Sequence, residues 1–192
     1  MKKLYFITGS QDLYGDEVLK QVALNSQEIA QYLDKELNET VSIEWQPIVK
    51  NSDEAWNVCI KAISDNNCVG VITWMHTFSP AKMWIRGLKI LTKPILHLHT
   101  QYNEKLPYST IDMDFMNLNQ SAHGDREFGF ICARLKVRRE VVAGYYKNKS
   151  VLHKIKKFSQ MAKALQFSQN IKVAMFGSNM RDVAVTEDRK SV

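Results

Sequence analysis

The fold is decided by residues 68–84, Cys68-Val-Gly-Val-Ile-Thr-Trp-Met-His-Thr-Phe-Ser-Pro-Ala-Lys-Met-Trp84. The first part, Cys68–Trp74, is β-branched and apolar on both faces, which is typical of a parallel strand covered on both sides. The loop Met75–Phe78 follows. Ser79-Pro80 then has the residues favoured at the N-cap and the first position of a helix. We therefore expect a buried strand, a turn and a helix.

The same alternation extends to both ends of the chain. Strands are predicted at Leu4–Ile7, 41–49, Cys68–Trp74, Ile95–Leu98, 141–146 and 171–176. Helices are predicted at 16–37, 52–63, 79–91, 128–140 and 152–167. Such alternation predicts an α/β fold with an open, mainly parallel sheet and helices on both faces, of flavodoxin- or Rossmann-like type. We assign residues 1–170 to this N-terminal domain, with its substrate rim and subunit contacts, and 171–192 to the start of a second one.

Composition excludes several classes of protein. The 192 residues are 45% hydrophobic and 24% charged, as in an ordinary globular protein. There is no apolar run near the roughly 18 residues of a membrane helix, and the apolar part of the N-terminus is too short for a signal peptide. The cysteines Cys59, Cys68 and Cys132 have no metal-type spacing and are expected to be reduced. We predict a cytoplasmic protein with no membrane partner.

The net charge of +6 comes largely from basic residues within 134–163. A basic face can bind nucleic acid. No nucleic-acid motif and no interleaved aromatic residues accompany it. We therefore interpret this segment as a solvated helix face or a subunit contact, and predict no nucleic-acid partner.

Ligands of open parallel sheets bind beyond the carboxyl ends of the strands. The loops there would be 10–15, 75–78, 99–124 and 177–181, which are also rich in hydrogen-bonding groups. The loop 9–15 lacks the spacing of a dinucleotide or phosphate loop. Gln11 and Tyr14 suit the recognition of hydroxyl groups. An ordinary turn with Tyr14 packed on the following helix explains them equally well.

Three further groups are candidates for chemistry. His97 and His99 share one face of a strand and could be half of a metal site, but no third ligand is visible, so we favour a structural pair. Asp112 and Asp114 could act as an acid–base pair, although we favour the capping of a turn. His123, in the polar connection Ile111–Phe130, is the best single candidate because histidine can exchange protons near neutral pH. A structural role is its alternative.

The sequence resembles the L-arabinose isomerase family over nearly its whole length, up to about Thr186. The matching segments are Gly9–Gly15, Thr73–Ile85, His99–Gln101, Ile111–Gly124, Arg126–Phe130 and Phe176–Arg181. The resemblance implies an aldose–ketose isomerase that interconverts L-arabinose and L-ribulose through an ene-diol. It also implies a divalent metal, Mn²⁺, and a homo-oligomer, which is a hexamer in the full-length family.

Carried over residue by residue, the resemblance implies substrate contacts by the first loop, the long loop and one later residue. These residues are Gln11, Leu13, Tyr14, Gln120, His123 and Met180. Gln120 and His123 would serve the site of a neighbouring subunit. The family's metal-binding glutamates and histidines match no residue here, so we expect no metal ligand and no complete catalytic set. We interpret the chain as truncated, and its alternative function is an inactive fragment that binds sugar weakly or docks with intact isomerase subunits.

Overall fold

The computed structural model describes residues 1–174 and 176. Five strands are formed: Lys3–Thr8 (β1), Ser42–Trp45 (β2), Cys68–Trp74 (β3), Ile95–His99 (β4) and Glu140–Ala143 (β5). Six α-helices accompany them: Gly15–Leu37 (α1), Ser52–Ser64 (α2), Ile85–Ile90 (α3), Met113–Leu118 (α4), Ser121–Arg134 (α5) and Lys149–Ser168 (α6). Short 3₁₀ turns, Asp12–Tyr14 and Ala81–Trp84, precede α1 and α3.

The sheet is parallel throughout and has the order β2-β1-β3-β4-β5. All seven residues of β3 are buried, as its continuous apolar pattern predicted. This order is that of flavodoxin-like folds, in which the chain changes direction across the sheet between β1 and β3. The prediction of an α/β fold with an open parallel sheet is therefore confirmed.

Helices cover both faces of the sheet. On one face, α1 and α6 pack against alternate strand residues such as Phe6, Ile72 and Leu96. On the other, α2, α3 and α5 pack against the intervening residues, including Tyr5 and Val71. The three cysteines are free and buried, as predicted. No helix in the described part of the chain is long and apolar enough to cross a bilayer.

Two N-cap residues predicted from the sequence, Ser79 and Ser52, are wrong. Ser79 does not cap a helix, because its hydroxyl is buried and accepts a hydrogen bond from Trp84 Nε1 at 3.0 Å. The chain instead enters α3 through the 3₁₀ turn. At α2, Asn51 is the N-cap, and its side chain accepts from the backbone N–H of Glu54 at 3.0 Å. Asparagine and serine are about equally preferred at the N-cap, so the sequence alone could not show which of Asn51 and Ser52 caps α2.

Two other predictions about the second half of the chain are also wrong. The predicted helix 128–140 begins at Ser121 and ends at Arg134, because Lys136 adopts a left-handed conformation with φ 56°, which terminates helices. The predicted strand 171–176 is not formed at residues 171–174 and 176. Its side chains Val173 and Phe176 are 88% and 95% exposed. Met180 and the loop 177–181 lie outside the described residues, and the second domain remains a prediction.

Candidate functional site

Two loops meet closely where the chain changes direction between β1 and β3. A Cβ atom at Gly9 would lie 2.6 Å from both Met75 Sδ and Ser79 Oγ, so this approach requires glycine. Beside it, the hydroxyls of Ser10 and Thr77 are 2.7 Å apart and buried. The two loops are therefore locked together and provide a rigid base for the residues on the rim.

The hydroxyl of Tyr14 joins three segments at this rim. It donates a hydrogen bond to Gln120 Oε1 at 3.0 Å and accepts one from the backbone N–H of Phe78 at 3.3 Å. Gln120 is the N-cap residue of α5. The structure thus brings the loop after β1 and the start of α5 into direct contact, although 106 residues separate them.

His123 completes this group through its ring. The imidazole lies 4.6 Å from the ring of Phe78, at 33°, and its side chain is 51% exposed. Its Nε2 lies 3.9 Å from Glu127 Oε1, one helical turn further on. We call Tyr14, Phe78, Gln120 and His123 the rim cluster. It presents an amide, a hydroxyl and an imidazole at the carboxyl edge of the sheet.

The connection Ile111–Phe130 is mostly helical, which corrects the expectation of a long polar loop. Asp112 caps α4 by accepting from the backbone N–H of Phe115 at 2.8 Å, so the capping interpretation of this residue is confirmed. In α5, a Cβ at Gly124 would lie 2.7 Å from the carbonyl oxygen of Thr77. The helix therefore fits against the loop after β3 only with glycine at this position.

The other predicted site residues lie around the rim cluster or beyond the described residues. Gln11 immediately precedes the 3₁₀ turn that carries Tyr14. Leu13, on the same turn, is 85% exposed. Gln11 is partly buried, and both residues lie within three positions of Tyr14 in the sequence. Met180 is among the residues that the structure does not describe, so its predicted substrate contact stays a prediction.

A second cluster of polar residues was not predicted from the sequence, because one of its three members is distant in the chain from the other two. Asp125 of α5 lies beside the pair His97 and His99 of β4. His97 Nε2 is 2.8 Å from Asp125 Oδ1, and His97 Nδ1 is 3.0 Å from His99 Nε2. We call these three residues the His–Asp cluster. In the sequence, Asp125 lies three residues before the predicted helix 128–140, and nothing at that position marks it as a partner of the histidine pair.

Burial controls the electrostatics of this cluster. It raises the pKa of Asp125 to about 7 and lowers the pKa of His97 to about 3, since a low-polarity environment favours the neutral form of each. Burial also lowers the pKa of His99. The positive charge of Arg139 lowers the pKa of His97 and His99 further, and it opposes the rise in the pKa of Asp125.

A pocket of about 620 Å³ opens beside the His–Asp cluster, at the carboxyl ends of β4 and β5. His99 and Asp125 line it, together with Gln101, Ser121 and Tyr145. Ser121 follows Gln120 directly in α5 and accepts a hydrogen bond from Gln101 Nε2 at 2.6 Å. The first turn of α5 therefore separates the rim cluster from this pocket.

The Mn²⁺ implied by the resemblance does not fit the residues described. Manganese favours several carboxylate or other oxygen ligands. In residues 1–174 and 176, the His–Asp cluster is the one group of at least three His, Cys, Asp or Glu residues with metal-like spacing, and it offers a single carboxylate. Beside the rim cluster, the carboxylate of Glu127 lies 3.9 Å from His123 Nε2, and this pair belongs to no group of three such ligands in the described part of the chain. The described residues therefore do not form a manganese site.

Comparison with known proteins gives consistent matches. A family model described as the L-arabinose isomerase N-terminal domain matches residues 1–170. Curated proteins named L-arabinose isomerase from Herpetosiphon aurantiacus, Flavobacterium johnsoniae and Anoxybacillus flavithermus are 51%, 52% and 53% identical over 98% of this chain. The chain spans 38% of the length of each of these relatives. It therefore belongs to the L-arabinose isomerase family, whose N-terminal domain it contains.

Proposed function

We propose that this chain is the sugar-facing N-terminal domain of an enzyme that interconverts L-arabinose and L-ribulose. The single observation that carries the proposal is the Tyr14 hydroxyl, which holds Gln120 and the backbone of Phe78 at one point. The groups presented there suit the recognition of sugar hydroxyls, because an amide side chain and a phenolic hydroxyl can each donate and accept hydrogen bonds. The relatives named L-arabinose isomerase support the choice of substrate.

In this proposal the chain binds and orients the sugar rather than carrying out the whole reaction. Isomerisation of an aldose to a ketose moves a proton between adjacent carbons, and a Mn²⁺ held by residues other than those described would supply the Lewis acid that assists its removal. Tyr14 positions Gln120, because the O–H···Oε1 bond fixes the amide plane, and Nε2, which donates one long hydrogen bond of 3.5 Å to Asn117 Oδ1, has a second N–H for a ligand. His123, whose ring packs at a tilt against Phe78 and is half-exposed, offers a ring nitrogen to a ligand at the rim.

Subunit docking is the second part of the proposal. Large apolar side chains that are at least half exposed occur on the segments next to the rim cluster: Leu13, Leu106, Tyr108, Met113 and Met116. Apolar surface of this kind favours a protein–protein contact. We propose that these segments contact other isomerase subunits, so that Gln120 and His123 serve the site of a neighbour.

Binding of L-arabinose and ribitol, measured by isothermal titration or saturation-transfer NMR, tests the sugar-facing role. We expect weak binding by the chain that Tyr14→Phe and His123→Ala each reduce severalfold, while His153→Ala, on the exposed face of α6, leaves it unchanged. Equal binding by all four proteins would contradict the assignment of the rim cluster.

An activity assay and a capture experiment separate the two functions. Purified chain with Mn²⁺ is expected to form no L-ribulose, whereas an intact isomerase bearing the same N-terminal sequence is expected to form it. Ribulose production by the chain alone would refute the division of roles proposed here. Capture of an intact isomerase subunit by the immobilised chain, reduced by Met113→Lys, would support docking, and failure of capture would refute it.

A further inference from the structure

The His–Asp cluster has the geometry of a set of ligands around one ion. One ligating atom from each of His97, His99 and Asp125 lies within 4.8 Å of the others. His97 Nε2 is 2.8 Å from one carboxylate oxygen, and His99 Nδ1 is 3.9 Å from the other. Ligands bound at about 2.0–2.2 Å to a common ion stand roughly 3–4 Å apart. Small side-chain shifts would therefore bring all three to one centre.

The chemistry of the three donors selects the kind of ion. Two imidazoles and one carboxylate form the protein part of catalytic zinc sites, in which a further position stays open to water or substrate. Imidazole nitrogen suits zinc and cobalt better than manganese, magnesium or calcium, which favour oxygen. His97 and His99 each have a ring nitrogen within 4.8 Å of the ligating atoms of the other two residues, as imidazole ligation of one ion requires.

The fold holds these donors in place before any ion arrives. His97 and His99 are two residues apart on β4, so their side chains leave the same face of the sheet. The ring of His97 packs edge-on against Phe128 of α5 at 4.9 Å. Asp125 stands on the first turns of α5, where Gly124 seats the helix against Thr77. Both supporting elements are therefore regular and packed, which favours preorganised ligation.

One side of the cluster is accessible. His99 is 30% exposed at its side chain, and both His99 and Asp125 line the pocket of about 620 Å³. Ser121 and Gln101 line the same pocket and can form hydrogen bonds with a water or an anion bound to the ion. The open coordination position would thus face the pocket rather than the core.

The positive charge of Arg139 opposes the binding of a cation at the His–Asp cluster, and its removal therefore tests for such binding. Its guanidinium lies against Gly129 of α5, and its charge acts on all three members of the cluster. Within the described residues its buried Nε has no hydrogen-bond partner. The positive charge of this guanidinium should weaken the binding of any cation beside it.

We propose that His97, His99 and Asp125 bind one zinc-type divalent cation, with an open position directed into the pocket at the carboxyl ends of β4 and β5. This site is distinct from the rim cluster and does not depend on the proposed sugar-facing function. The same contacts in the absence of metal would form a hydrogen-bonded chain that ties α5 to β4. That alternative predicts stability effects but no cation uptake.

The test uses Co²⁺, whose visible spectrum reports nitrogen and oxygen ligation at a zinc site. The chelator-treated full chain is titrated at neutral pH, and we expect one equivalent of Co²⁺ to bind, with absorption that Zn²⁺ then abolishes. His99→Gln and Asp125→Asn are each expected to weaken binding at least tenfold. His153→Ala, exposed on α6, is the matched control and is expected to retain it.

Circular dichroism of each variant establishes that the fold is retained, and His99→Gln, the more exposed position, keeps the test valid if Asp125→Asn unfolds. Arg139→Gln is expected to bind Co²⁺ severalfold more tightly, a result that a purely structural role of the cluster would not produce. Absence of Co²⁺ uptake by the wild-type chain, or uptake undiminished in His99→Gln, would overturn the proposal. Unchanged affinity in Arg139→Gln would also count against it.

Discussion

The same substitution at two glycines of α5 should have different consequences for stability. Gly124→Ala places a Cβ 2.7 Å from the carbonyl oxygen of Thr77 and 3.0 Å from Met75 Cβ. Both belong to the loop that is locked onto β1, so the helix itself must move. Gly129→Ala instead meets only the terminal guanidinium of Arg139, the far end of a flexible side chain.

The magnitudes follow from two opposing effects. Overpacking against backbone costs about 1–3 kcal/mol. Replacing glycine by alanine within a helix stabilises it by about 0.8–1.0 kcal/mol, and by less in the first turn, where Gly124 lies. We therefore expect Gly124→Ala to lower the free energy of unfolding by about 1–2 kcal/mol. Gly129→Ala should change it by less than about 1 kcal/mol, in either direction, because the arginine can move aside.

Urea unfolding monitored by circular dichroism measures the difference. We expect a lower midpoint for Gly124→Ala with an unchanged slope, since the same surface is exposed on unfolding. The NMR signals of His123 should shift in Gly124→Ala and not in Gly129→Ala, because only the former displaces the first turn of α5. Equal stabilities, or a larger loss in Gly129→Ala, would refute the assignment of the rigid contact to Gly124.

Three other predictions concern stability and reactivity. Tyr14→Phe removes the hydroxyl at the rim and should cost about 1 kcal/mol in urea unfolding, whereas the control Tyr108→Phe, at a residue 83% exposed, should change stability by less than about 0.5 kcal/mol. Burial lowers the pKa of His76 to about 3. The imidazole therefore becomes protonated at a higher pH in the unfolded chain than in the folded one, and stability is lost as pH falls from about 6.5 towards 3. His76→Gln should therefore reduce the loss of stability between pH 7 and 5 by about 2 kcal/mol, and a loss as large as in wild type would contradict this origin. Burial raises the pKa of Cys59 to about 12 and that of Cys132 to about 11, so both thiols should react with iodoacetamide at about pH 8 only after unfolding; rapid labelling of the native protein would contradict their burial.

Prediction from sequence succeeded where neighbouring residues decide the structure. The pattern of Cys68–Trp74 gave the bounds of β3 because a buried strand must be apolar along its length. It failed at Ile111–Phe130, where polar residues suggested a loop. There, Asp112 caps one helix and Gly124 seats another, and the value of that glycine depends on a contact with Thr77 that is remote in sequence.

The candidate site shows the same division. Sequence similarity indicated Tyr14, Gln120 and His123, but their mutual contacts could not be predicted from it. The pair His97 and His99 was visible from its spacing on a strand, yet its third partner was not. Asp125 joins the pair only because α5 packs across β4. A helix position carries no local signal of the strand that it will cover.

The sequence by itself determined the alternation of strands and helices, and hence a parallel sheet covered on both faces, because burial imposes a period of two or 3.6 residues on each element. It also carried the segments that identify the family. Tertiary structure alone decided that Tyr14 meets Gln120 across 106 residues and that His97 meets Asp125 across 28. These contacts arise from the strand order and from the packing of α5, which depend on the whole core rather than on any local pattern.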